Sequence, residues 1–146
     1  MDVNGSLAIS ATALRAERLR LDVIASNLAN ATTTETAEGG PYRRRNVIFA
    51  ATTLDSEFGD TLASLSAEDG RRGVRVSGVV EDQSPPRLVF DPGHPDANAE
   101  GYVAYPNVNP VTELVDLMSA TRAYEANVQA VTATRRMAES ALAIAG

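Results

Sequence analysis

The sequence predicts an α+β chain whose long N- and C-terminal helices pair as an antiparallel-type coiled coil, with a small β-rich insert between them. Two observations carry this. Leucine recurs at every seventh residue as Leu7, Leu14, Leu21 and Leu28, and a second seven-residue series, Leu117, Tyr124, Val131 and Ala138, closes the chain. The segment between them, 31–110, has a different character and holds all seven prolines. A sustained seven-residue period winds helices around one another in a left-handed sense, whereas Gly and Pro clusters punctuate short strands. The 146 residues therefore divide into an N-terminal helix over 1–30, a β-rich insert over 31–110 with a flexible loop at about 51–72, and a C-terminal helix over 111–146 that pairs with the first.

The first helix is expected from Gly5 to Ala29, with Asn4 or Ser6 able to accept a hydrogen bond from its unpaired first amides. Leu7, Ala11, Leu14, Leu21, Ala25 and Leu28 follow alternating steps of three and four; Arg18 interrupts the stripe and Ile24 widens it. Such a helix reaches roughly 38 Å. Asn30 is placed to end it, because Asn tolerates the left-handed conformation common at helix exits. Strands are expected at Arg43–Ala50, Gly73–Val80, Arg87–Phe90 and Gly101–Tyr105, separated by turn signals at 38–41, 84–86 and 91–95. Thr52 to Arg72 has no clear period and reads as a loop. Asn109 can cap the last helix, Pro110 fits its first position, and Glu113 and Asp116 lie near its positive end. Its predicted seam is Leu114, Leu117, Thr121, Tyr124, Val128, Val131, Arg135, Ala138 and Leu142, along roughly 50 Å of helix.

Composition limits what such a chain does. Hydrophobic residues make up 44%, yet aromatic ones are scarce (three Phe, four Tyr, no Trp), so the core is thin. The net charge is -6 and all thirteen basic residues are arginine, without a basic stripe. That pattern argues against a nucleic-acid partner, since phosphate binding relies on clustered cations. Arg43, Arg44 and Arg45 are adjacent, but strand alternation sends Arg44 to the opposite face, which favours an intersubunit or solvated role. No apolar run of about twenty residues suits membrane insertion, and no basic-then-apolar leader marks a cleaved signal peptide. Without cysteine and with His94 as the single histidine, neither a metal site nor a nucleophile–base pair is readily staged. Asp91, Asp96 and Glu100 miss the spacing of a calcium loop. We expect no enzyme, no cofactor, no metal and no small-molecule substrate.

The helical stripes are wider than one partner needs, because Ile24, Val115, Met118, Ala120 and Ala141 fall partly outside them. Apolar residues outside a monomer core mark association surfaces. The candidate subunit-interface residues are Leu7, Leu14, Leu21, Leu28, Leu114, Leu117, Tyr124, Val128, Val131 and Leu142, with Asn27 and Asn30 offering amides one turn apart. Two readings stay open on this ground: an assembly subunit making head-to-tail contacts, or a soluble helical adaptor that acts in the cytoplasm.

Particular residues favour the first. Ser-Asn-Leu-Ala-Asn at 26–30, followed by Ala-Thr-Thr, resembles the N-terminal signature of the flagellar axial proteins, the rod and hook subunits. Gly-Pro-Tyr-Arg-Arg-Arg (40–45), Glu-Asp-Gln-Ser-Pro (81–85), Val-Phe-Asp-Pro-Gly-His-Pro-Asp-Ala (89–97), Pro-Asn-Val-Asn (106–109) and Arg-Ala-Tyr-Glu-Ala-Asn-Val (122–128) resemble its proximal-rod branch. The resemblance covers nearly the whole chain apart from 50–72. It implies a structural subunit of the basal-body rod that transmits torque and walls the export channel. It further implies export through the flagellar type III apparatus without a cleaved signal, and terminal helices that order on assembly. The implied partners are other rod proteins, copies of the chain itself, the basal-body ring and the export gate.

Overall fold

A computed structural model describes residues 3–53 and 72–145. Helix α1 spans Val3–Ala29, strand β1 Arg45–Thr53, β2 Arg72–Glu81, β3 Arg87–Phe90 and β4 Tyr102–Tyr105, and helix α2 runs from Pro110 to Ala145. The two long helices with a β insert between them are the architecture expected from the heptads. Most of the loop expected at 51–72 lies outside the described residues.

Among the described residues the insert holds two antiparallel ribbons, β1 with β2 and β3 with β4. In the first, Arg45 pairs with Glu81 and Thr53 with Arg72, and the register slips between Ile48 and Phe49, leaving Ser77 as the extra residue. Such a bulge bends and twists the ribbon. In the second, Arg87 faces Tyr105 and Phe90 faces Tyr102. Gly101 sits at φ +82, a region unfavourable to side chains, and an added Cβ would meet Phe90 Cε2 at 2.9 Å. No larger residue fits there without movement.

Helix α1 is the common wall, packing on α2 and on both strands of the first ribbon. Thr12 pins it to β2: its hydroxyl accepts a hydrogen bond from Val74 N at 3.1 Å and donates to Ile9 O at 2.7 Å. Helix α2 starts as predicted. Asn109 Oδ1 accepts from Val111 N at 3.0 Å, and Asn109 O from Glu113 N at 3.0 Å, so one residue satisfies amides left open at a helix start. The exit of α1 falls at Asn30 as expected, but not by the expected conformation. Asn30 takes no left-handed conformation, since no described non-glycine residue has positive φ. Its side-chain amide instead donates to Ser26 O at 2.9 Å, while its Oδ1 accepts from Thr33 Oγ1 at 3.2 Å.

The seams are also shifted. Along α1 the shielded columns are Leu7, Leu14, Leu21, Leu28 and Ser10, Glu17, Ile24, Ala31, not Ala11, Arg18 and Ala25, which are exposed. Along α2 they are Leu117, Tyr124, Val131, Ala138 and Glu113, Ala120, Asn127, Thr134. The predicted companions Leu114, Thr121, Val128, Arg135 and Leu142 are exposed. The correction is one residue in the second column of each helix. Its cause is that several of the shielded positions are polar or small, so a search for apolar residues passes over them.

Candidate functional site

The place where both helices meet the insert is a buried polar junction, built around Asn27 in the last turn of α1. Asn27 is 1% exposed. Its Nδ2 donates to Arg45 O at 2.9 Å and to Glu113 Oε2 at 3.1 Å. Its Oδ1 accepts from Arg45 N and from the Tyr42 hydroxyl, both at 2.9 Å. Two donors and two lone pairs are the full capacity of an Asn side chain. Against Arg45 the amide acts as a neighbouring strand would, engaging both the N–H and the C=O at the start of β1. The side chain thereby starts the strand as well as tying it to the helix.

Glu113, in the first turn of α2, is fully buried. Besides Asn27 it accepts from Arg44 Nε at 2.5 Å, and the same guanidinium reaches Asp116 at 3.4 Å and Asn46 Oδ1 at 2.7 Å. A buried carboxylate needs such partners, because removing a charge from water is otherwise prohibitive. The strand alternation that separates Arg44 from its neighbours is observed, but it sends Arg44 inward to an intrachain ion pair. Arg43 donates to Gln83 at 2.7 Å, and Arg45 pairs with Glu81 at 3.4 Å. Behind the arginines, Asp82 N donates to Arg44 O at 2.7 Å. The Asp82 carboxyl is held below its ordinary range, first by the Ser84 hydroxyl, then by the Ser84 amide, with Arg44's charge adding to both.

The expected site residues fall into three groups. Leu7, Leu14, Leu21, Leu28, Leu117, Tyr124 and Val131 are half-buried along the helices. Leu114, Val128 and Leu142 are 47%, 41% and 74% exposed; Leu114 belongs to an apolar patch with Val111, Val115 and Met118, and Val128 and Leu142 stand singly beyond it. Asn27 and Asn30 spend their amides inside the chain. Tyr42, Arg44 and Glu113 escaped sequence reasoning as a constellation. The available signal was Glu113 standing four residues before Leu117, in a seven-residue column with Ala120 and Asn127. No helix among the described residues is long and apolar enough to cross a membrane.

The junction's two helical halves fall in the two segments that match protein families. Residues 7–35 match the family described as flagella basal body rod protein, and residues 99–144 that described as flagellar basal body rod FlgEFG protein C-terminal. Over nearly its full length the chain is similar to the flagellar basal-body rod protein FlgC of Bacillus subtilis, with 49% identity covering 95% of each chain. The FlgC of Borreliella burgdorferi is 43% identical over 99% of this chain and 98% of its own. That of Salmonella typhimurium is 41% identical over 88% of this chain and 87% of its own.

Proposed function

The chain belongs to the family of flagellar basal-body rod proteins and is a structural subunit of that rod, and from this premise we propose that it occupies the proximal rod, joined head-to-tail to its neighbours through the terminal helices. The observation that carries the proposal is the exposed apolar patch at the start of α2, Val111, Leu114, Val115 and Met118, with Val128 and Leu142 exposed singly further along the helix. A monomer rarely leaves such a patch uncovered without a partner for it. The partners are other rod proteins and further copies of the chain, with the basal-body ring and the export gate below them. The subunit transmits torque and contributes to the export-channel wall, after passing through the flagellar export apparatus without a cleaved signal. Similarity to rod proteins along nearly the whole chain does not favour the cytoplasmic adaptor.

The half-buried leucines, Tyr124 and Val131 serve both the helix pair and its neighbours, whereas Leu114, Val128 and Leu142 serve neighbours alone. Val128→Asp and Leu142→Asp are therefore expected to leave the purified chain's helix content unchanged and to remove it from isolated basal bodies, abolishing swimming. Wild-type incorporation of both variants would end the proposal.

A further inference from the structure

The β3–β4 ribbon carries a bare apolar face. Leu88 and Phe90 are each 63% exposed and Tyr102 is 40% exposed. Leu88 and Phe90 are two residues apart and Tyr102 is paired with Phe90, so all three share one side of the ribbon. Phe90 is nonetheless fixed. Its ring lies edge-to-face on Tyr102 at 5.3 Å, and its Cε2 lies 2.9 Å from where a Cβ on residue 101 would stand. An exposed aromatic held before its partner arrives is the form of a binding anchor, because little freedom remains to be lost. Asp91 and Glu100 flank it, exposed and without an ion pair among the described residues.

A groove of about 360 Å³ lies elsewhere, between α1 and the first ribbon, walled by Thr12, Ala16, Leu19, Val74 and Val76. The hydrogen bond from Val74 N to the Thr12 hydroxyl joins its two walls. Leu19 is 37% exposed at its wall. Arg15 and Arg75 stand on it, exposed and likewise without an ion pair among the described residues. One surface is an apolar knob with two acids at its turn end and the exposed Arg87 beside Leu88 at the other, and the second is an apolar cleft bearing two arginines.

We propose that Leu88 and Phe90 of one copy seat in the α1–β2 groove of a second copy, with Asp91 and Glu100 facing Arg15 and Arg75. The two patches are different surfaces of one chain, so the contact is heterologous and repeats from copy to copy instead of closing as a two-fold dimer. The inference rests on the rod-subunit reading and assigns a second, insert-borne contact to it. Charge complementarity sets the orientation, since turning the ribbon end for end brings Arg87 against Arg15 and Arg75.

The chain contains no cysteine, so Leu19→Cys and Leu88→Cys can be introduced together with Phe90 retained. In oxidised basal bodies, disulfide-linked dimers and longer ladders are expected from the double variant and from neither single one. Independently, Arg75→Glu is expected to lower the incorporated chain roughly tenfold, and adding Glu100→Arg to restore it. If the chain is present in basal bodies but neither the ladder nor the rescue is seen, the contact is overturned and the rod assignment stands. Absence of the wild-type chain from basal bodies overturns both. A ladder without rescue overturns the proposed charge pairing, and rescue without a ladder overturns the seating of Leu88.

Discussion

Replacing Asn27 by alanine removes, in one step, partners of the Arg45 N–H and C=O, the Tyr42 hydroxyl and the Glu113 carboxylate. Each buried group left unpaired costs about 1–3 kcal/mol. The urea midpoint of the purified chain is expected to fall accordingly, with little change in m-value. Arg44→Ala is expected to be more severe, about 3–5 kcal/mol, because it leaves the buried Glu113 charge with an amide alone. Arg44→Lys keeps the charge but loses the planar fork that spans Glu113, Asp116 and Asn46, so it recovers only part of the loss. Asp82 offers a separate check. Its folded pKa is depressed, so its contribution is full above the ordinary carboxylate value and is lost as pH falls through the lowered one. Ser84→Ala removes the largest cause, and the Asp82 midpoint followed by NMR is expected to rise. An unmoved midpoint would refute the assignment.

At the scale of the helices, one column of each seam was legible in the sequence and the other was not. Leu7, Leu14, Leu21 and Leu28, with Leu117, Tyr124, Val131 and Ala138, announce themselves by being mostly large and apolar at a fixed spacing. Their companions include Ser10, Glu17, Asn127 and Thr134, which no hydrophobic pattern selects, and Leu114 and Val128, one residue away, attract the reading instead. Burial rather than hydrophobicity marks the true column. Ala120 is wholly buried, and Ala120→Leu is expected to destabilise the isolated chain by about 1–3 kcal/mol through overpacking, measurable by thermal melting. The same substitution at exposed Ala130 is expected to change it little. The Asn109 cap was legible because capping is local chemistry. The Asn27–Glu113–Arg44 junction was not, because it joins residues that only tertiary folding brings together.

For the molecule as a whole, buried apolar side chains are few among the described residues, and several are alanine: Ala16, Ile24, Ala31, Tyr42, Val103, Val108 and Ala120. Stability is therefore concentrated near the junction and thins along the helices. Because Asn27 touches Glu113, α2, at 36 residues against 27 for α1, extends past the start of α1 by roughly 12 Å. Hydrogen exchange in the purified chain is expected to be slowest at 24–31 and 113–124 and fastest at 137–145. Uniform protection along α2 would contradict this gradient. The junction also imposes an order in time. Asn27 and Glu113 are 86 residues apart, and synthesis proceeds at about 5–20 residues per second, so the amide waits roughly 4–17 s for its carboxylate to exist. During that interval α1 has no α2 to pack on, and its leucine column is open to any other chain that reaches it first.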